Sequence, residues 1–310
     1  MSKHFLGVAD FTSQELKDVL YNAGKLKELY LSGGRDLALD GKVMALIFEK
    51  PSCRTRISFE TAMYQLGGAV VYLKREDIGA LGEREPVKDL MRVLNGMVNL
   101  VVVRTFAHEN LLEMTRYGTI PVVNALSDAM HPCQAVADVM TIHENYGRIE
   151  GLKVVFVGDG NNVATSLGIA CVKLGANYTM VGPKGYIDNA MYTEAIEAET
   201  KISGSRFEIS TDVKEAVKGA DVIYTDTWTS MGREEEKAKR INDFTGYQVD
   251  SKLMALAKPD CKIMHCLPAY RGIEITDEVI ESPNSVVFQQ SENRLHAQRE
   301  IIKYLVTGKL

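Results

Sequence analysis

Five consecutive residues, Ser52, Cys53, Arg54, Thr55 and Arg56, combine hydroxyls, a thiol and two guanidiniums. They follow Val43-Met44-Ala45-Leu46-Ile47-Phe48, an apolar run that reads as a buried strand. They precede Phe59, Ala62, Met63 and Leu66, whose i, i+3, i+4, i+7 spacing is the buried stripe of a helix. The cluster therefore sits where a strand ends and a helix begins. Free backbone N–H groups and the positive end of the helix dipole favour an anion there. Arginine adds planar, charged donors that match phosphate. Two arginines in a first turn oppose the dipole. A bound anion removes that conflict, and a merely solvated basic turn does not.

Other reactive groups recur at similar places. Arg104 ends the apolar run Leu100-Val101-Val102-Val103, so its charge must pair with Glu109 or Asp128 or meet a ligand. His131 and Gln134 lie one turn apart at a helix start. They either cap the turn or donate to a carbonyl oxygen that becomes an oxyanion. Gly158-Asp159-Gly160-Asn161-Asn162 is half of a dinucleotide fingerprint. Ala164 stands near the place of the third glycine, and Val181-Gly182-Pro183 offers no acidic residue for a ribose. A dinucleotide-dependent oxidoreductase is disfavoured on that ground, and the amides of Asn161 and Asn162 suit a carboxylate. Asp226 follows the run Val222–Thr225 and could hold an amine; Ser230 and Gly232 make a loop able to approach a ligand, and Trp228 reads as a loop anchor. His265-Cys266-Leu267-Pro268 again ends a strand, with Cys266 read as a thiol or thiolate that binds or deprotonates an amine.

The elements that must position these groups alternate between strand and helix, which predicts α/β domains with parallel sheets flanked by helices. Strands are expected at Val43–Phe48, Val70–Leu73, Leu100–Arg104 and Pro121–Asn124, then at Lys153–Val157, Tyr178–Val181, Phe207–Ile209, Val222–Thr225 and Lys262–His265. The first helix starts after Thr12, with Glu15 completing a capping box, and stops near Gly33-Gly34. Glu76 to Pro86 reads as a long loop. Helices are also expected from about Pro132 to Asn145 and from about Glu292 to Val306. Tyr146-Gly147-Arg148 is the expected boundary. It gives one domain over residues 1–146, completed by a C-terminal helix over 290–310, and a second over 147–289. Ligands of open α/β sheets bind beyond the C-terminal strand ends. If the two domains face each other with those edges, all the groups above line one interdomain cleft.

The 310 residues are 45% hydrophobic and 25% charged with a net charge of −5, which suits two soluble domains and disfavours a nucleic-acid surface. Five scattered cysteines argue against a disulfide framework, and Cys261 and Cys266 are not spaced as a zinc pair. Met1–Asp10 lacks the apolar core of a signal peptide, and no run is long enough to span a bilayer. A cytoplasmic protein without a membrane partner is expected.

Together these residues resemble the ornithine carbamoyltransferases over nearly the whole chain, from Phe48 to Gln298. The family pattern Ser-Thr-Arg-Thr-Arg appears as Ser52–Arg56, and His-Pro-Cys-Gln as His131–Gln134. Asn161-Asn162, Asp226 with Ser230-Met231-Gly232, His265–Pro268 and Glu292-Asn293-Arg294 match further motifs. The resemblance implies carbamoyl phosphate on Ser52, Cys53, Arg54, Thr55, Arg104, His131, Gln134, Cys266, Leu267 and Arg294. It implies ornithine on Asn162, Asp226, Ser230, Met231 and Cys266. It also implies carbamoyl transfer to the δ-amine, giving citrulline in arginine metabolism, with no metal or organic cofactor, in a homotrimer or a multiple of trimers. Arg104, His131, Asp226 and Cys266 would be the catalytic groups, with Cys266 as proton acceptor. Two departures stand out. Cys53 replaces the usual Thr, a weaker donor to phosphate. Ala80-Leu81-Gly82-Glu83-Arg84-Glu85 resembles a family segment Gln-Leu-Gly-Arg-Gly-Glu but lacks the carboxamide that reaches carbamoyl phosphate from a neighbouring subunit. Alternatives are a carbamoyltransferase for putrescine or N-acetylornithine, and a non-catalytic paralogue that binds carbamoyl phosphate.

Overall fold

Val43–Phe48, Leu100–Arg104, Lys153–Val157 and Val222–Thr225 are nearly continuous apolar runs, as strands are when helices cover both faces of a parallel sheet. In the computed structural model, which describes residues 2–229 and 234–310, these runs are inner strands of two parallel sheets. The chain divides into two compact units, Met1–Ala137 with Glu292–Leu310, and Asp138–Ser291.

The first unit holds β1 (Val43–Phe48), β2 (Ala69–Lys74), β3 (Leu100–Arg104) and β4 (Val122–Leu126) in the order β2-β1-β3-β4. Phe48 at the end of β1 lies opposite Lys74 on one side and Arg104 on the other. The backbone of Phe5 bonds to Val122 and Asn124 and so covers the outer edge of β4. Ala45, Ile47, Val101 and Val103 pack with Leu90, Met91 and Leu94 of the helix Val87–Asn95 and with Leu111 and Met114 of the helix His108–Tyr117.

The second unit holds β5 (Lys153–Val157), β6 (Asn177–Val181), β7 (Phe207–Ser210), β8 (Val222–Thr225) and β9 (Lys262–His265) in the order β7-β6-β5-β8-β9. Its core joins Val155, Val157, Ile223 and Ile263 to Val213, Val217 and Val279. In each sheet the chain winds first to one side and then to the other. The order therefore reverses between β1 and β3, and again between β5 and β8. Loops leaving the C-terminal ends of those strands diverge, which opens a crevice at that edge.

Strand positions agree with the sequence expectations to within two residues at either end. Phe59, Ala62, Met63 and Leu66 are fully buried, as their spacing requires. Thr12 caps the first helix, Ser13–Leu31, through its hydroxyl, and Glu15 returns a bond to the Thr12 N–H at 2.8 Å. Two expectations are corrected. The segment after Lys74 contains a short helix, Arg75–Ile78, because Asp77 caps the Lys74 N–H at 2.8 Å. The C-terminal helix starts at Val287, five residues early, because Val287 packs into the core of the second unit. No helix among the described residues is long and apolar enough to cross a membrane.

Glu300, on that helix, is 1% exposed, and its Oε2 has no hydrogen-bond partner. Burial pushes its carboxyl from 4.5 up to about 7. A carboxyl raised on folding contributes full stability below its unfolded value and loses it as pH rises through its folded value. Glu300→Gln holds the neutral form. It is therefore expected to be more stable than the parent by on the order of 3 kcal/mol at pH 8 and by almost nothing at pH 4. Urea unfolding at the two pH values checks this. An equal gain at both would show that packing, not ionisation, is responsible.

Candidate functional site

The turn after β1 is built to hold something outside itself. Ser52 precedes the helix Cys53–Gln65, yet its side chain makes no capping bond to the first-turn N–H groups. Cys53 is exposed and Arg54 half-buried, while Thr55 is buried. The two arginines have parted. Arg56 donates to Glu60 at 2.8 Å and lies over the Tyr72 ring at 3.9 Å. Arg54 makes no ion pair among the described residues. The helix thus opens with uncapped N–H groups and one guanidinium held by no carboxylate, the setting in which an anion binds.

Arg294 extends this cradle inside the first unit. It is 3% exposed and fixed by three side-chain acceptors. Its Nε donates to Gln298 at 2.9 Å, Nη1 to Oε1 of Gln134 at 2.6 Å, and Nη2 to Oγ1 of Thr55 at 3.3 Å. These bonds decide which ends of the partners remain donors. The Gln134 oxygen accepts from Arg294, so its NH2 is the donor end of that amide. The Thr55 oxygen accepts, so its O–H proton points elsewhere. His131 is buried, and burial, then Arg294, then Arg104, lowers its imidazole well below the ordinary value. A neutral imidazole keeps one N–H for a developing oxyanion and adds no charge to a cationic site.

Two neighbours of this cradle were not singled out from the sequence. Lys50 is 9% exposed, its ammonium stands 4.0 Å from the Phe106 ring centroid, and burial followed by Arg104 lowers its pKa. Glu49 accepts from the Leu81 N–H at 2.9 Å, from the Phe106 N–H at 3.4 Å and from the Thr105 hydroxyl. It ties the loop carrying Ala80 and Glu83 to the ends of β1 and β3. The sequence signal was available: two charges directly after an apolar strand need partners.

In the second unit the carboxylate of Asp226 is the centre. It is 6% exposed and lies just past β8. Oδ2 accepts from Nδ2 of Asn161 at 2.9 Å, and Oδ1 from the Thr227 N–H at 2.7 Å and from the Cys266 thiol at 2.9 Å. Burial, then the Asp226 charge, pushes the Cys266 thiol well above its ordinary value. Cys266 is therefore a thiol that donates, and the expectation that it accepts the amine proton does not fit this geometry. His265 holds the loop in place. Nδ1 accepts from the Leu267 N–H at 2.8 Å, which leaves the proton on Nε2, 3.1 Å from Glu274. Leu267 itself has φ 56°, a conformation that is costly outside glycine and is held here by that bond. Asp226, His265 and Cys266 bring donor atoms within 4.8 Å of one another, but each already serves a protein partner.

The turn after β5 has the opposite character to the turn after β1. Oδ1 of Asn161 caps the N–H groups of Val163 and Ala164 at 2.9 and 3.0 Å. The Gly160 N–H donates to Tyr186 and the Gly158 N–H to Val181, each at 2.9 Å. Asp159 pairs with the buried Arg240 at 2.7 Å. The donors a pyrophosphate would need are satisfied internally, so this glycine-rich turn is not a dinucleotide cradle. Asn161 is correspondingly a helix cap and a support for Asp226 rather than a free amide for a carboxylate. Asn162 begins the helix Asn162–Lys173 at the mouth of the same crevice. Trp228 is buried and stacks on Phe244 with centroids 5.2 Å apart, the anchor expected of it. Ser230, Met231 and Gly232 lie outside the described residues.

Both units also match family models. The aspartate/ornithine carbamoyltransferase carbamoyl-P binding domain covers residues 3–144, and the Asp/Orn binding domain covers residues 150–305. The chain belongs to the aspartate/ornithine carbamoyltransferase family. Within this carbamoyltransferase family it is 49% identical over 303 residues to an ornithine carbamoyltransferase of Thermococcus kodakarensis, covering 98% of this chain and 96% of that one. The solved ornithine carbamoyltransferase of Pyrococcus furiosus superposes with a TM-score of 0.96 at 47% identity, covering 100% of this chain and 98% of that one. A solved N-acetyl-L-ornithine transcarbamylase mutant is more distant, at 31% identity and a TM-score of 0.87, covering 98% of this chain and 99% of that one.

Proposed function

We propose that this protein transfers the carbamoyl group of carbamoyl phosphate to the δ-amine of L-ornithine, giving L-citrulline and phosphate. The observation that carries the reading is a division of labour. An uncapped, cation-rich turn in the first unit suits a phosphate, and a carboxylate held by neutral donors in the second suits an amine. The 49% identity to an ornithine carbamoyltransferase, against 31% to an N-acetyl-L-ornithine enzyme, supports ornithine as the acceptor.

The helix start with Ser52, Cys53, Arg54 and Thr55 binds the phosphate. Arg104, neutral His131, Thr55 and the Gln134 amide donate to the carbamoyl oxygen as it gains charge. Asp226 accepts an N–H of ornithine, with Asn162, Ser230 and Met231 toward its amino-acid head, and Leu267 beside Cys266 contacts the carbamoyl end. The amine nitrogen forms its bond to the carbamoyl carbon, the carbon–oxygen bond to phosphate breaks, and the proton shed by nitrogen leaves on the phosphate. The atoms balance without a further reactant. A homotrimer belongs to the same proposal, on the resemblance of Ala80–Glu85 to the segment that serves a neighbouring subunit; light scattering tests it. All five cysteines are free thiols, which suits a reducing compartment, and we place the protein in the cytoplasm.

A citrulline assay after EDTA treatment, with carbamoyl phosphate plus ornithine, putrescine or N-acetylornithine, tests the reading. Activity with ornithine alone is expected. Turnover only with another amine, or none at all, would overturn it. Cys266→Ser adds a sharper check on the proton's route. Serine keeps a donor to Asp226, so kcat should fall by no more than about tenfold and the pH–rate profile should not move. A profile displaced toward alkaline pH would restore the thiolate as proton acceptor.

A further inference from the structure

The helix Cys53–Gln65 has a second feature at its other end, roughly 18 Å from Cys53 at 1.5 Å per residue. There the first unit contains a cavity of about 490 Å³, a volume usual for small-molecule sites. Its walls come from the end of the first helix and the Gly33–Gly34 turn, from Thr61, Tyr64 and Gln65, and from Arg299 of the C-terminal helix. No residue of the proposed carbamoyl-transfer site lines it.

The charge of Arg299 is not neutralised by hydrogen-bonded protein groups. The residue is 3% exposed. Nη1 donates to Oε1 of Gln65 at 2.6 Å and Nη2 to Nδ1 of His296 at 3.4 Å. Both acceptors are neutral. A guanidinium cannot accept, so Nδ1 of His296 carries a lone pair, and burial followed by the Arg299 charge lowers that imidazole to about 4. The third donor, Nε, is buried with no hydrogen-bond partner, and Arg299 forms no ion pair among the described residues. The nearby carboxylate of Asp36 is held by Lys303 at 2.8 Å. Asp36 and the buried Glu300 act on Arg299 through space, but neither hydrogen-bonds it, so an anion that does so stabilises this buried cation. Around it the walls are leucine and tyrosine. The Arg299 guanidinium stands 5.8 Å from the Tyr30 ring centroid, and Arg35, which is exposed, stands 5.6 Å from that of Tyr64.

We propose that this cavity binds a small apolar monocarboxylate. The carboxylate meets the Arg299 side chain where it lines the cavity and the guanidinium of Arg35, and the flat or aliphatic body lies against Tyr30 and Tyr64. A monoanion fits better than phosphate, because Asp36 shares the cavity and its charge opposes a second negative charge.

The test uses the full chain and 4-bromobenzoate. Calorimetric titration should show binding that weakens by about tenfold in Arg299→Gln, the loss of one charge-assisted hydrogen bond. Arg35→Gln, at an exposed position that the fold does not depend on, should weaken it by about threefold. The uncharged 4-bromobenzamide should not bind. Anomalous scattering from a soaked crystal should place bromine between Tyr30 and Tyr64. If Arg299→Gln does not fold, Arg35→Gln and the bromine position decide. Equal binding of acid and amide, unchanged affinity in the arginine variants, bromine found only elsewhere, or inorganic phosphate taking this cavity in preference would each overturn the proposal.

Discussion

Arg104→Leu is expected to lower kcat by about 10²–10³-fold while the protein stays folded. Arg104 is the last residue of β3 and is 4% exposed, so it occupies a site where a leucine side chain suits its strand neighbours. Its charge is felt by the groups around it, since it helps to lower both Lys50 and His131. A buried donor already in place costs little reorganisation when the carbamoyl oxygen becomes anionic. Loss of one such donor typically removes about 2.7–4 kcal/mol of transition-state stabilisation. A second readout follows from the same charge. With one cation gone, protonated His131 becomes less costly, so its titration should move upward, though burial still keeps it below the ordinary imidazole value. Steady-state kinetics and histidine ring shifts by NMR measure the two effects. A kcat within about threefold of the parent would place Arg104 away from the reacting carbon.

Asp226→Asn should act on the other substrate. The ornithine KM is expected to rise and kcat to fall, with a combined loss in kcat/KM of roughly 10- to 150-fold. That range follows from about 1.5–3 kcal/mol for a hydrogen bond to a charged group. Carbamoyl phosphate affinity should scarcely change. The geometry adds a structural cost. Asn can still accept from Thr227 and Cys266 through Oδ1, but its NH2 then faces Nδ2 of Asn161, donor against donor. A lower melting temperature should accompany the kinetic loss, and Asn161→Asp in the same chain should recover part of the stability without the activity. If carbamoyl phosphate binding fell as far as ornithine binding, Asp226 would belong to the phosphate side.

Much of this was legible along the chain. The apolar runs of β1, β3, β5 and β8 set the inner strands of the sheets, because strands covered on both faces must be largely apolar. The stripe Phe59, Ala62, Met63 and Leu66 set the helix that presents Ser52 to Thr55, because its period is that of a helix. Reactive residues directly after such strands pointed to the C-terminal sheet edges, because a charge cannot stay in the layer.

What sequence could not decide was which donors are already spent. The turns after β1 and β5 look alike as strings, each a short polar segment between strand and helix. Only folding shows that Asn161 caps its own helix while Ser52 leaves its helix open, since capping depends on side-chain direction rather than residue type. Cys266 is the clearest case. A cysteine beside a histidine could have been a thiolate, but the fold turns His265 toward Glu274 and Leu267 and places the thiol against the Asp226 carboxylate. Burial and a neighbouring negative charge both disfavour a second anion. The protonation state of that sulfur was therefore decided by partners 40 residues away in the chain, a separation that no local pattern records.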